Sequence, residues 1–137
     1  MTITATITIK AQFYDCDPMN VVWHGNYPQY FEQARCALLD LIDFNYRKMS
    51  LTDYIWPVVD MRIKYVRSIV FGQTISATAS LAEYENRLCI DYVLRDAASE
   101  EIVTKGRTIQ VAVHRVTGET AFESPAALLD AVRRLKP

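Results

Sequence analysis

Two hydrophobic periods share this chain, and the point where one replaces the other limits what it can fold into. Over residues 3–13 apolar and polar side chains alternate. Ile3, Ala5, Ile7, Ile9, Ala11 and Phe13 hold one parity, and Thr4, Thr6, Thr8, Lys10 and Gln12 hold the other. A period of two predicts a strand with one buried and one wet face. After residue 26 the spacing becomes three and four: Tyr27, Tyr30, Phe31, Ala34, Leu38, Leu41 and Ile42. That stripe predicts an amphipathic helix over 27–42, about four turns long. Asn26 with Gln29 three residues later reads as a capping box. Pro28 falls in the first turn, where a missing N–H costs nothing.

Residues 43–57 lose the pattern and read as a loop, with a short helix around Ser50–Tyr54. Period two then returns. Val59, Met61, Ile63 and Tyr65 alternate with Asp60, Arg62 and Lys64, and a parity slip at Val66 predicts a bulge or a strand bend. Further strands follow around Ile75–Leu81, Leu88–Leu94 and Ile102–Val116, the last with Ile109, Val111 and Val113 facing inward and a bulge at Gly106. Turns are expected at Phe71-Gly72-Gln73, Glu85-Asn86-Arg87, residues 97–100 and Thr117-Gly118, and a C-terminal helix from Pro125 through Leu135. One strand, one helix and at least four consecutive strands predict an antiparallel meander. One face of that sheet needs cover, and the helix at 27–42 is the long element that offers it. The expected fold class is α+β, with a curved antiparallel sheet wrapped around one long central helix.

Composition excludes several classes. The chain has 137 residues, enough for one domain. Fifteen basic against sixteen acidic residues give a net charge of -1, so nucleic acid is not an expected partner. No stretch approaches the roughly 20 apolar residues of a membrane helix, and the start lacks the pattern of a signal peptide. No stable membrane insertion is expected, and the cytoplasm is the expected location. Cys16, Cys36 and Cys89 form no CxxC and, with His24 and His114, no zinc set, so three free thiols and no metal are expected.

The segment from Phe13 to Arg35, FYDCDPMNVVWHGNYPQYFEQAR, joins the first strand to the helix. It offers two carboxylates, Asp15 and Asp17, and an imidazole, His24, ahead of a helix start whose amides can hold developing negative charge. Each has a plainer reading. Asp15 can satisfy loop N–H groups, Asp17 can make an Asp-Pro turn, and His24 can sit against a backbone carbonyl. Likewise Asn26 can serve as a cap, Tyr27, Tyr30 and Phe31 as core, and Glu32 as a wet-face or interface residue.

Asp15-Cys16-Asp17-Pro18, then Val22-Trp23-His24-Gly25-Asn26-Tyr27, then Tyr30-Phe31-Glu32-Gln33-Ala34-Arg35, resembles the 4-hydroxybenzoyl-CoA thioesterase family. The nearer likeness is to its broad acyl-CoA thioesterase branch, which includes the Tol–Pal-associated enzymes. The likeness covers about residues 5–120, leaving 120–137 as a C-terminal extension of a single hot-dog domain spanning 1–137. It implies the hot-dog fold, a homodimer or a dimer of dimers, and a site at the dimer interface. It implies that Asp17 attacks a thioester carbonyl or activates water, and that His24 positions the thioester. Gly25 and Asn26 would supply oxyanion amides, Tyr27 would line the acyl site, and Glu32 is a reserve carboxylate. No cofactor is implied beyond the CoA or phosphopantetheine of the substrate itself, an acyl-CoA or acyl-carrier-protein thioester. Arg62, Lys64, Arg67, Lys105 and Arg107 are candidates for its phosphates. Trp23, Tyr54 and Trp56 are read as aryl-pocket lining or as interface or core residues.

Two other readings of the same fold are weighed. A hydratase or dehydratase needs five positions between carboxylate and imidazole, whereas Asp17 and His24 stand seven apart with Pro and Asn in the wrong order. A non-catalytic acyl-thioester-binding protein would bind without turnover.

Overall fold

The computed structural model describes residues 2–135. Strand β1 (Thr4–Lys10) is followed by a 3-10 turn (Phe13–Asp15), a loop, a second 3-10 turn (His24–Asn26) and helix α1 (Tyr27–Leu41). Then come α2 (Tyr46–Met49), β2 (Tyr54–Ile55), β3 (Val58–Tyr65), β4 (Thr74–Glu83), β5 (Leu88–Asp96), β6 (Ile102–Gln110), β7 (Val113–His114) and α3 (Ala126–Leu135). Five strands form one sheet in the order β1-β4-β5-β6-β3, all antiparallel, and β2 pairs with β7 in a small ribbon. This is an α+β, hot-dog-like arrangement.

The expected wrapping is corrected. The sheet is open, with β1 and β3 as its two edges, and does not curl closed around a helix. Helix α1 has 15 residues and lies mainly over β1 and β4, while the helical cover is divided among α1, α2 and α3. No single long helix organises the molecule. The reason is visible in α3. Its Leu128, Ala131 and Val132 are buried in the same core as α1, so the apolar load is shared. The four-strand meander is corrected too. Only β4, β5 and β6 follow one another, because β3 crosses to pair with β6.

Several local expectations meet their physical limits. The first strand stops at Lys10, and Phe13 is 73% exposed in the turn that follows. Leu41, the last member but one of the predicted helical stripe, is 49% exposed, whereas Ile42 is buried. The short helix falls at α2 rather than at Ser50–Tyr54, because the Asn45 side chain accepts from the Lys48 amide and starts it there. A register shift in β3 lies between Val58 and Asp60, and the amides of Val66 and Arg67 both donate to the Val103 carbonyl where the strand bends away. The four predicted turns are present, with Gly72, Gly118 and Glu100 at positive φ.

On β6 the parity is reversed from the one predicted. Thr104, Gly106, Thr108 and Gln110 face the helix, while Ile109 lies on the outer face opposite Cys89 and Asp60. Partners satisfy part of this polar inner row: Tyr92 and Thr108 share a hydroxyl bond of 2.7 Å, and Gln110 donates its amide to the Trp56 carbonyl at 2.7 Å. Gly106 marks no bulge. It leaves room for the Phe31 ring of α1, which also stacks on Tyr92 with centroids 4.4 Å apart and planes within 2°. A Cβ at Gly106 would overlap that ring and come within 2.9 Å of the Arg62 carbonyl. Gly106→Ala is therefore expected to destabilise the fold by about 1–3 kcal/mol. A urea titration showing no fall in midpoint would contradict this seating.

Candidate functional site

The antiparallel bridge between Cys16 and Val22 closes residues 17–21 into a small loop. Asp17 donates its amide to the Val21 carbonyl at 2.9 Å, and its Oδ1 accepts from the Met19 amide at 2.8 Å. This is the Asp-Pro turn that the plainer reading expected, with Asn20 at a φ of 64° completing it. The same bond orients the carboxylate without consuming it. Among the described residues Oδ2 of Asp17 has no hydrogen-bond partner, and the residue is half-buried. The loop is tied to the sheet end by Val22, whose amide donates to the Ile69 carbonyl at 2.7 Å.

His24 opens the 3-10 turn that feeds α1. Its ring is exposed and lies 5.1 Å from the Trp23 indole. Its carbonyl accepts from the Tyr65 hydroxyl at 2.7 Å, so a side chain of β3 reaches across to hold the turn. The first internal bond of the turn runs from the Asn26 amide to the Trp23 carbonyl at 2.8 Å. The amides of His24 and Gly25 precede that bond and stand at the free N-terminal end. Gly25 is small for a local reason. A Cβ there would lie 2.5 Å from the Trp23 ring, which folds over it.

Asn26 departs from the capping-box expectation. It occupies the N-cap position, yet its side chain makes no cap bond and donates instead to the Asp15 carbonyl at 2.8 Å. The intervening 3-10 turn brings α1 in already helical, at φ -92° and ψ -10° for Asn26, so its side chain is free to reach back. Tyr27 is 2% exposed, packed edge-on against Tyr65 at 4.7 Å, and burial pushes its hydroxyl pKa up. It is a core residue beneath the turn. Tyr30 is likewise buried. Burial first, then its bond to Asp15, hold its phenol well above the ordinary range.

Asp15 is itself 6% exposed, with Oδ2 accepting from the Gln12 amide at 2.9 Å and from the Tyr30 hydroxyl at 2.8 Å. Glu32 belongs elsewhere. It is exposed, pairs at 3.6 Å with the buried Arg35, and lines a groove of about 770 Å³ between α1 and Ile7 of β1. That groove shares no lining residue with the Asp17 loop. Trp56 is core, edge-on to Phe44, and Tyr54 packs on His114, whereas Trp23 is half exposed beside the turn. Tyr65 escaped sequence reasoning. Its parity on β3 placed it on the inner face, but nothing in the pattern paired it with His24.

The candidate cations separate by face. Arg62 lies opposite Arg107 and Lys64 opposite Lys105 on the outer surface of the β3–β6 ladder. Arg107 is held by Asp91 through two bonds of 2.6 and 3.0 Å, Arg62 is 3.8 Å from Asp60, and Arg67 is engaged by Glu101 at 2.8 Å. Among the described residues Lys64 and Lys105 have no acidic partner, no three His, Cys, Asp or Glu side chains are grouped as a metal site, and no helix is long and apolar enough to cross a membrane.

Comparison with known proteins adds a family. The model of the Thioesterase superfamily matches residues 19–103. YneP of Bacillus subtilis, whose ascribed activity is that of an acyl-CoA thioesterase, is 30% identical over 76 residues, which are 56% of this chain and 55% of YneP. Thus the match spans about half the length of that relative. A DHNA-CoA thioesterase from Staphylococcus aureus has the same fold with a TM-score of 0.84 at 24% identity, over 97% of this chain and 91% of that one. Slr0204 from Synechocystis, a 1,4-dihydroxy-2-naphthoyl-CoA thioesterase, also superposes with a TM-score of 0.84, at 20% identity over 98% of each chain. With the family matched over more than half of its residues, and on a hot-dog fold, this chain belongs to the thioesterase superfamily, a family of hydrolytic enzymes.

Proposed function

We propose that this protein hydrolyses an acyl-CoA thioester to a free carboxylic acid and CoA. The observation that carries the reading is Asp17. Its carboxylate is oriented through one oxygen and open at the other, on a loop closed beside the amide-bearing turn that begins α1. Either Asp17 adds to the thioester carbon, giving a mixed anhydride that water then opens, or it takes a proton from the attacking water. In both routes the oxyanion falls to the amides of His24 and Gly25, aided by the helix terminus, and the thiolate leaves without strong acid assistance. His24 positions the thioester, with Tyr65 holding its carbonyl. Within the superfamily, the Asp17-Pro18 motif and the helix-start motif support the broad acyl-CoA branch of the 4-hydroxybenzoyl-CoA thioesterases. A CoA substrate implies the cytoplasm as the place of action.

The outer-face cations favour CoA over a carrier protein. Like charges directly opposite in a ladder repel; Arg107 and Arg62 have Asp91 and Asp60 beside them, whereas Lys64 against Lys105 has no acidic partner among the described residues and is costly unless an anion is shared. Lys64 adjoins Tyr65, whose hydroxyl touches the turn. A pantetheine arm passing over the β3 edge would join the thioester on the inner side to phosphates on the outer. The same edge is the proposed seam of a homodimer or dimer of dimers. It is unpaired, and Val59 and Met61 are 57% and 37% exposed along it.

Thiol release from short, medium, long and aromatic acyl-CoAs tests the activity. Asp17→Asn is expected to lower kcat by about 10²–10⁴-fold with the oligomer intact. No release by the wild type across the panel would sink acyl-CoA hydrolysis and turn attention to carrier-protein thioesters or binding alone. Replacing Lys64 and Lys105 together by Glu should raise KM for acyl-CoA about tenfold, while leaving the matching acyl-pantetheine unaffected. Equal effects on both substrates would remove the phosphate role. In sedimentation, Val59→Lys is expected to shift the assembly toward monomer, and a monomeric wild type at micromolar concentration would contradict the β3 seam.

A further inference from the structure

We infer that Asp15 is a positioning residue for the reaction: its main-chain carbonyl ties the Asp17 loop to the amide-bearing turn, and its buried carboxylate anchors that carbonyl to Gln12 and to helix α1. The inference rests on the thioesterase reading above. Its basis is that one residue accepts four bonds from three separate pieces of chain. Through Oδ2 it accepts from the Gln12 amide, just beyond β1, and from the Tyr30 hydroxyl on α1, at 2.9 and 2.8 Å. Through its carbonyl it accepts from the Trp23 amide at 2.9 Å and from the Asn26 side chain at 2.8 Å. Trp23 and Asn26 bracket His24 and Gly25, whose amides face the proposed oxyanion. Asp17, the proposed nucleophile or base, stands two residues beyond Asp15.

The two halves of the site are therefore referred to one point. The loop is tied to the sheet end through Val22, and the turn is held from β3 by Tyr65. The Asp15 carbonyl joins the two directly, and its carboxylate fixes that carbonyl against Gln12 and α1. The carboxylate is suited to the task because it is 6% exposed, so water does not compete for its two donors. Tyr30 serves from the helix side. Its ring is buried, and its hydroxyl is the one part of it that reaches the clamp. Asn26 gives up helix capping for the same purpose. Misplacement of reacting groups by about 1 Å costs on the order of 10²-fold in rate, so loosening the clamp should show in turnover before it shows in binding.

Three variants and two readouts test this. Asp15→Ala removes the acceptor of Gln12 and Tyr30, leaving the carbonyl bonds to Trp23 and Asn26 unanchored, and is expected to lower kcat about 10²-fold with KM changed less than about threefold. Asp15→Asn keeps an oxygen able to accept both donors and should restore kcat to within about fivefold of wild type. Tyr30→Phe keeps the buried ring, loses one donor, and should fall between them; it decides the matter if Asp15→Ala does not fold. The second readout needs no turnover: amide hydrogen exchange at Trp23 should speed up in Asp15→Ala and in Tyr30→Phe while the β4–β5 ladder stays protected. Wild-type kcat in Tyr30→Phe and Asp15→Ala, a loss confined to KM, or unchanged exchange at Trp23 would overturn the clamp. If the wild type hydrolyses no acyl thioester, the functional reading fails, and the exchange result alone still judges whether Asp15 holds loop and turn together.

Discussion

Phe31 lies flat on Tyr92 and over the bare backbone of Gly106, and the placement of α1 depends on that seat. A ring stacked at 4.4 Å against one strand and pressed into a glycine gap on the next cannot slide along the sheet or roll without losing contact with both. The helix start is thereby set four residues upstream of a fixed point. Tyr27 and Tyr30 fall beneath the 3-10 turn, and the Tyr30 hydroxyl arrives at Asp15. The candidate site is assembled from loops, but its position is inherited from this contact inside the core.

The inner face of β6 shows how a polar row serves the same end. Thr104, Thr108 and Gln110 are almost fully buried, where aliphatic residues would give more hydrophobic stabilisation. Tyr92 bonds to Thr108, and Gln110 bonds to the Trp56 backbone, so the row ties β5 to β6 and β6 to the segment entering β3. Arg35, one turn along α1 from Phe31, bonds to the Tyr46 hydroxyl and brings α2 against the helix. Directional bonds of this kind define a single arrangement more sharply than apolar contact does. The site above them needs such an arrangement, because its groups come from five different segments.

Periodicity made most of the fold legible. The switch from period two to period 3.6 located β1 and α1, and glycine with polar clusters located the turns. What escaped it has identifiable causes. Pattern reasoning assigns apolar residues inward, so the buried threonines of β6 were read as its wet face. It pairs neighbours in sequence, so the crossing of β3 to β6 was missed. It treats a helix with a broad apolar stripe as the sole cover, so α3 was not counted into the core. At the site, Asp17, His24 and Gly25 stood out because their types and spacing are chemically suggestive. Asp15 and Asn26 stood out too, but for capping and loop satisfaction. Neither their bond to one another nor the hydroxyls of Tyr30 and Tyr65 had any signature in spacing.

The amino-acid sequence by itself determined the local conformations: where strands alternate, where the helix begins, which residues turn, and the chemical types carried between β1 and α1. These are set by interactions within a few residues, which periodicity and side-chain type report directly. Only the tertiary structure decided that the sheet stays open, that β3 is an edge with cations paired across its ladder, and that one buried aspartate, through its carbonyl and its carboxylate, joins loop, turn and helix. Those outcomes depend on which distant segments meet. Gln12 with Asp15 is local, but Tyr30 with Asp15, Tyr65 with His24 and Phe31 with Gly106 arise only when separate elements pack against one another.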